Sequence, residues 1–233
     1  MIIHVLTLFP KMFSGPFDES IIKRAQEKEL VEIKIHNLRD WAVDKHGSVD
    51  DRPYGGGTGM ILRVEPVYNA LKELKKVKIK NSKTILLSPR GETFNQQKAQ
   101  KLSRLDEIIL ICGHYEGFDE RIRNFVDEEI SIGNFVLTGG EIPAMAITDA
   151  IVRLLPGVLK KEEASQIESF SPRLKKLSPK SSNSDSELLI EYPQYTRPEE
   201  FRGLKVPEIL LSGHHQKIEK WQSRHIKKQK LIK

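Results

Sequence analysis

Short, almost continuous apolar runs alternate with longer amphipathic stretches through the first two thirds of the chain. Short apolar runs bounded by turn residues are typical of strands that are buried in a sheet. The amphipathic stretches repeat their apolar residues at helical spacing, as Phe17, Ile21 and Ala25 do, which predicts helices. The predicted strands are residues 2–9, 31–35, 84–87, 108–112 and 130–132, and the predicted helices are residues 17–29, 63–74, 97–105 and 120–126.

This alternation of strand and helix predicts an α/β fold, with a mostly parallel sheet covered by helices on both faces. After residue 159 the pattern changes, because residues 160–187 are rich in Lys, Ser and Pro. Such a composition buries too little apolar surface to offset the entropy of ordering the chain. We therefore predict an α/β domain at residues 1–159, a flexible linker at 160–187, and a small, mainly helical domain at 188–233 whose helix begins near Ser212.

Composition points to an intracellular protein without a membrane partner. Of the 233 residues, 38% are hydrophobic and 30% are charged, and no apolar run reaches the ~18 residues that a membrane span requires. The first residues carry neither a basic segment nor a cleavage site, so we expect no signal peptide. Cys112 is the single cysteine of the chain, which excludes an intrachain disulfide and fits a reducing cytoplasm. We expect a cytoplasmic location.

The net charge of +6 is confined to one end of the chain. Residues 1–158 hold 22 basic and 22 acidic side chains, whereas residues 159–233 hold 16 basic and 10 acidic ones. From Lys220 onward there are six basic residues and no acidic one. Such a segment suits a polyanion, because each Lys or Arg that binds a phosphate releases a counterion. A solubilising tail would have the same composition, so charge alone leaves nucleic-acid binding open.

Three glycine-bearing loops follow predicted strands directly, at residues 88–91, 113–117 and 133–140. In open α/β sheets, ligands bind at the carboxyl ends of the strands, and glycine lets the backbone approach a ligand closely. One such loop would be an ordinary turn, but three in succession favour a pocket. Neither a G-x-G-x-x-G fingerprint nor a P-loop is present, so the pattern supports neither a dinucleotide fold nor a P-loop nucleotide site.

A fourth loop, residues 50–60, has four glycines within five positions and charged residues at its edge. It either folds over a planar ligand or is a plain surface loop.

Other candidate sites are weaker. Cys112 ends an apolar run, where an inert buried thiol is the usual finding. The seven histidines show no metal-ligand spacing, and no serine lies in a G-x-S-x-G elbow, so we assign no metal ligand and no triad hydrolase.

Eight segments, taken in chain order, carry a resemblance to a known family. They are LTLFPKMF (residues 6–13), VDDRPYGGG (49–57), LSP (87–89), CGHYEGFDER (112–121), SIGNFVLTGGEIPAM (131–145), RLLPGVL (153–159), YPQYTRP (192–198) and VPEILLSG (206–213). Together they span nearly the whole chain apart from the predicted linker. In these segments the chain resembles the tRNA (guanine-N1)-methyltransferases of the SPOUT class.

The resemblance implies several properties that the hydrophobic pattern does not. The α/β domain would carry a trefoil knot at its C-terminal end, with S-adenosylmethionine (SAM) bound by the loops of the knot. The protein would be a homodimer with active sites at the subunit interface, would depend on magnesium, and would bind the anticodon stem-loop of tRNA. By similarity, the SAM pocket comprises Leu87, Ser88, Pro89, Gly113, Tyr115, Glu116, Ile132, Gly133, Asn134, Phe135, Val136, Leu137, Gly139 and Gly140.

The reaction of the family requires a base, because guanine N1 becomes a good nucleophile only after it loses its proton. Negative charge then develops on O6 and needs a cation or a hydrogen-bond donor beside it. The resemblance places the base at Glu168, where the family has aspartate, and the cation at Arg153. It places further substrate contacts at Asp50, Arg52, Gly55 and Ser169.

Two other positions depart from the family pattern: His114 replaces a commoner arginine, and His214 replaces the usual asparagine.

Two other interpretations stay open on the sequence alone. In the first, the protein is another SPOUT-class RNA methyltransferase. In the second, it is a non-catalytic RNA-binding module that retains the pocket. The segment from Arg153 to Phe170 argues against the first, and the intact pocket and the carboxylate in the base position argue against the second.

Overall fold

Strands and helices alternate through the first 160 residues of the computed structural model, which describes residues 1–77, 79–160, 168–171, 174 and 188–229. The strands of this part are β1 (Ile2–Thr7), β2 (Glu32–Asn37), β3 (Asp50–Asp51), β4 (Ile61–Leu62), β5 (Ser82–Thr93), β6 (Glu107–Cys112) and β7 (Glu128–Ser131). The α-helices are α1 (Ser20–Glu27), α2 (Val64–Leu74), α3 (Gln96–Leu102) and α4 (Glu141–Val152). Short 3-10 helices are formed by Pro10–Phe13, Leu38–Trp41 and Glu120–Phe125.

Five strands pair in parallel to form one sheet, in the order β2-β1-β6-β5-β7. The prediction of an α/β fold with a mostly parallel sheet is therefore confirmed. Each of the five predicted strands coincides with one of these strands, and residues 120–126, predicted as a helix, form a 3-10 helix. Strands β3 and β4 lie outside this sheet and pair antiparallel with each other, which closes the glycine-rich loop between them.

Side chains alternate between the two faces of each central strand, and both faces are buried. In β6, Ile108 and Leu110 belong to one apolar cluster, which also contains side chains of α1, α3 and α4. Ile109 and Ile111 belong to a second cluster, which contains side chains of α2. Because every residue of β6 is buried, this strand reads in the sequence as a continuous apolar run. Each fully buried Ile or Leu contributes about 2 kcal/mol of stability.

Strand β5 is longer than its apolar run predicts, because it continues to Thr93 after an irregular segment. Both Leu87 and Glu92 align with Ile130 of β7, so the intervening residues form a bulge. Gly91 allows this close approach, since a Cβ at this position would lie 2.4 Å from the backbone nitrogen of Ile130. The bulge thus presents Ser88 and Pro89 at the carboxyl end of the apolar part of β5.

The hydrophobic pattern does not predict α4, although this helix packs at the centre of the first part. Ala144, Ile147 and Ile151 of α4 are completely buried. Gly140 immediately precedes the helix, and a Cβ there would lie 2.7 Å from the Cα of Cys112 in β6. This glycine lets the N-terminus of α4 approach the end of the central strand, where the predicted pocket loops begin.

The chain divides into two compact units, Met1–Lys160 and Lys161–Lys233. In the second unit the structure describes β8 (Leu188–Ile190), β9 (Glu200–Phe201), β10 (Leu204–Lys205), α5 (Glu208–Leu211), α6 (His215–His225) and β11 (Lys227–Gln229). Strand β8 pairs antiparallel with β11, and β9 pairs antiparallel with β10. Most of the predicted linker, residues 160–187, lies outside the described residues. Among the described helices, none is long and apolar enough to cross a membrane.

Candidate active site

A cleft with an empty volume of about 820 Å³ opens at the carboxyl ends of β5, β6 and β7. This volume includes space that is open to solvent. Every residue of the predicted SAM pocket except Asn134 lines the cleft. The structure thus brings together the three glycine-bearing loops that the sequence singled out. Residues of the lining that the sequence analysis did not identify are His114, Gly117, Phe118, Ile130, Ser131, Thr138 and Pro143.

The additional lining residues were missed because the prediction took positions from family strings one at a time. Most of them lie within the eight segments that carry the family resemblance. They could have been identified because they are next to predicted pocket residues in the same loops. Ile130 lies outside these segments. Pro143 lies within the segment 131–145, but it belongs to α4, which the hydrophobic pattern does not predict. Its position in the wall of the cleft depends on how α4 packs against β6.

The loop after β6 has a strained backbone at its centre. Tyr115 has a φ of +61°, in the left-handed region that residues with a side chain rarely adopt. Such conformations cost about 1–3 kcal/mol and persist where the surrounding structure enforces them. The backbone N–H groups of Glu116 and Gly117 donate to the carbonyl oxygens of Met60 and His114, at 3.0 and 3.3 Å. This strained turn directs the side chains of Tyr115 and Glu116 at the cleft.

Two polar groups of the lining lack a partner in the part of the chain that the structure describes. The Nδ1 atom of His114 is buried and makes no hydrogen bond. The imidazole lies between the rings of Phe9 and Tyr115, with centroids 4.7 and 4.9 Å away. The carboxylate of Glu116 lines the cleft and takes part in none of the hydrogen bonds or ion pairs of the described residues. The Glu116 side chain is exposed, so its carboxylate is available to a ligand, whereas the His114 Nδ1 atom is buried.

A buried carboxylate lies behind this loop. Glu141 is 2% exposed at the start of α4, where the positive end of the helix dipole favours negative charge. The hydroxyl of Thr7 donates to its Oε1 atom at 2.7 Å. Burial, followed by the charge of Glu141, raises the pKa of the Cys112 thiol well above its ordinary value. Cys112 therefore remains a protonated thiol, which agrees with its interpretation as an inert core residue.

The glycine-rich loop lies beside the cleft and contains three of the predicted substrate contacts. Strands β3 and β4 close this loop at its base. The backbone N–H of Leu62 donates to the carbonyl of Gly117 at 2.9 Å, which joins the loop to the one after β6. Asp50 is partly buried, Arg52 is exposed, and Gly55 has a φ of +86°. The fourth loop of the sequence analysis is therefore attached to the cleft wall.

Arg153 and Glu168, the predicted catalytic pair, belong to different units of the chain. Arg153 is the residue that caps the C-terminus of α4, and its side chain is partly buried. Glu168 and Ser169 precede Phe170, whose backbone N–H donates to the carbonyl of Leu189 at 2.8 Å. The hydroxyl of Ser169 accepts a hydrogen bond from the backbone of Glu191 at 3.2 Å. Residues 168–171 of the predicted linker are thus bonded to the chain around β8.

The described residues contain no group of three or more His, Cys, Asp or Glu side chains that would hold a metal ion. Magnesium is commonly bound by one or two carboxylates, together with water and substrate oxygens, so a site of that kind needs no such group. The sequence analysis assigned no metal ligand, and the described geometry singles out none.

Comparison with known proteins identifies the family. Residues 1–233 match the family described as "tRNA (Guanine-1)-methyltransferase TrmD". The tRNA (guanine-N(1)-)-methyltransferase of Citrifermentans bemidjiense is 56% identical, over 93% of this chain and 81% of the relative. That of Dictyoglomus turgidum is 51% identical, over 99% of this chain and 87% of the relative.

A solved structure gives the same result for the fold. The crystal structure of tRNA (m1G37) methyltransferase from Aquifex aeolicus superimposes with a TM-score of 0.76 and 42% identity, covering 97% of this chain and 88% of that one. The resemblance found in the eight sequence segments is therefore confirmed. The chain belongs to the tRNA (guanine-N1)-methyltransferase family.

Proposed function

We propose that this protein transfers the methyl group of SAM to N1 of the guanine immediately 3′ of the tRNA anticodon. Family membership supports the type of reaction and SAM as the methyl donor. The observation that carries the proposal is the cleft at the ends of β5, β6 and β7, which is lined by the loops that the family resemblance assigns to SAM. The position of the target guanine in the tRNA is the finer part of the proposal.

The residues of the cleft fit SAM chemically. Apolar side chains such as Leu87, Ile132 and Leu137 suit the faces of an adenine ring, and the glycines expose backbone groups to its polar edge. The exposed Glu116 carboxylate, which has no partner among the described residues, offers a polar contact to the rest of the SAM molecule. When bound, SAM supplies an electrophilic methyl group on a sulfonium sulfur.

The protein's own residues would activate the guanine. We assign Glu168 as the general base that accepts the N1 proton, because a carboxylate is the acid-base group that the segment 168–170 offers. We assign Arg153 to O6, where a guanidinium would stabilise the negative charge that develops as the proton leaves. Asp50, Arg52, Gly55 and Ser169 would hold the flipped base and its neighbours, since a base inside a stacked anticodon loop is out of reach.

The basic second unit is the proposed contact to the anticodon stem-loop. Lys227 and Lys228 of β11 are exposed, and lysines that bind phosphates raise the affinity for RNA because they release counterions.

We also propose that the protein acts as a homodimer whose active sites combine residues of both subunits. Magnesium, the second cofactor that the resemblance implies, would be bound with the help of substrate oxygens in the neighbourhood of Glu116 and Glu168, and we assign it no ligand. No step of the assigned chemistry depends on it.

The proposal is tested by methyl transfer from labelled SAM to tRNA transcripts in which the guanine 3′ of the anticodon is replaced by adenine. We expect labelling of the wild-type transcript and none of the replaced one. A transcript with one changed base pair in the acceptor stem serves as the matched control and should be labelled normally. Undiminished labelling of the replaced transcript would refute the assigned target. If calorimetry detects no SAM binding, the protein is a non-catalytic RNA-binding module instead.

A further inference from the structure

Glu116 lies directly on the backbone of Gly59, a residue of the glycine-rich loop. A Cβ at Gly59 would be 2.5 Å from Cγ of Glu116 and 3.0 Å from its Oε1. A contact of 2.5 Å is too short for two carbon atoms, so a side chain at position 59 would force the Glu116 side chain to move. The position that Glu116 adopts in the cleft lining thus requires a residue without a side chain at position 59.

Backbone hydrogen bonds hold these two loops together. Glu116 N–H donates to Met60 O at 3.0 Å, and Asp119 N–H donates to Leu62 O at 2.9 Å. Leu62 and Phe118 also form an isolated parallel bridge. Gly59 therefore directly precedes a segment, residues 60–62, that is bonded to the cleft loop at Glu116 and at the residues that follow it. The Glu116 side chain is exposed and has no polar partner among the described residues, so its close packing against Gly59 is the contact that restricts where its carboxylate lies.

We infer that Gly59 is a positioning residue that keeps the Glu116 carboxylate in the cofactor cleft. The inference rests on the proposed function, in which Glu116 contacts SAM and the glycine-rich loop contacts the tRNA. It adds a physical connection between those two sites, because a displacement of the loop at Gly59 displaces a group of the SAM site. A side chain at position 59 should therefore weaken SAM binding even when no tRNA is present.

The chain supplies a matched control for this substitution. Gly56 has a φ of +81°, almost the same as the +84° of Gly59, so alanine is strained at both positions. A Cβ at Gly56 meets nothing within 4 Å, whereas a Cβ at Gly59 meets Glu116. Both alanine variants therefore place a side chain at a left-handed φ within one loop, and they differ in the contact with Glu116.

The experiment is calorimetric titration of the full-length protein with SAM, without tRNA. We expect Gly59→Ala to bind roughly tenfold more weakly than the wild type, the usual effect of losing one charged hydrogen bond. Gly56→Ala should stay within about twofold of the wild type, since it leaves Glu116 in place. Equal losses of affinity in the two alanine variants would overturn the inference.

A double substitution separates positioning from a general disturbance of the loop. In a Glu116→Ala background the overlapping Cγ is absent, so adding Gly59→Ala should weaken SAM binding no further. A further loss as large as that in the wild-type background would overturn the inference. If Gly59→Ala does not fold, the Gly59→Ala/Glu116→Ala variant should fold again, and failure of this variant alongside a folded Gly56→Ala would also overturn it. Absence of SAM binding by the wild type would instead refute the proposed function itself.

Discussion

A buried histidine, His4, and a partly buried one, His36, predict that the protein loses stability in mild acid. His4 in β1 and His36 in β2 are joined by a hydrogen bond of 2.8 Å between Nδ1 of His4 and Nε2 of His36. The other nitrogen of His4 lies 3.3 Å from a carboxylate oxygen of Glu107 in β6. With both rings neutral, His36 donates to His4 and His4 donates to Glu107, so all three groups are satisfied.

Burial opposes protonation of this pair. His4 is 7% exposed, and burial, together with the charges of His36 and Lys34, lowers its pKa from 6.5 to about 4. Burial and the charge of Lys34 lower the pKa of His36 as well. In the unfolded chain both histidines protonate near their ordinary pKa. Between about pH 6.5 and pH 4 the unfolded state therefore binds more protons than the folded state, and stability falls as the pH falls.

The size of the effect follows from the shift of His4. Because the pKa of His4 is about 4 in the folded state and 6.5 in the unfolded state, the free energy of unfolding falls as the pH is lowered. The fall is about 2 kcal/mol at pH 5 and about 3 kcal/mol at pH 4, relative to neutral pH. His36 adds to the loss. Glu107 acts in the opposite direction, because burial raises its pKa and a protonated carboxyl in the folded state favours folding at low pH. A difference between variants isolates the histidine contribution from that of Glu107.

The assay is urea unfolding at pH 7.5 and pH 5.0, followed by far-UV circular dichroism, for the wild type, His4→Gln and His46→Gln. Glutamine cannot titrate, so His4→Gln should lose about 2 kcal/mol less than the wild type between the two pH values. His46 is exposed, and its variant should behave like the wild type. If His4→Gln and the wild type lose the same free energy of unfolding, the histidine pair is not responsible for acid sensitivity and the reasoning is wrong.

Three further predictions concern the proposed active site and the packing behind it. Glu168→Gln should slow single-turnover methylation about 10²-fold or more, as expected for loss of a general base; near-normal turnover would exclude Glu168 from that role. Mixing Glu168→Gln with an inactive cleft variant, Gly113→Val, should restore about a quarter of wild-type activity if each site combines both subunits, and no recovery would contradict a shared site. Gly140→Ala should lower the free energy of unfolding by about 1–3 kcal/mol, because its methyl group overlaps the backbone of β6; an unchanged urea midpoint would contradict that packing argument.

Local sequence pattern accounts for much of the fold. Strand β6 was predictable because it is buried on both faces, and after Glu107 all of its residues are apolar. Helices α1 and α2 were predictable because each buries one face and exposes the other, which leaves a stripe at helical spacing. The cleft loops were predictable as a group, because parallel strands place their carboxyl ends at one edge of a sheet.

Other features depend on contacts between distant parts of the chain. Helix α4 shows no apolar stripe, because its exposed side also carries apolar residues such as Ile142. The contact between Glu116 and Gly59 joins residues that are far apart in sequence. The sequence of the glycine-rich loop does not indicate which of its glycines must lack a side chain. Likewise, the low pKa of His4 arises because β1 lies between β2 and β6. Hydrophobic periodicity indicates whether a residue is buried. Close backbone contacts and shifted pKa values depend on which residues pack against each other, and only the folded chain determines that.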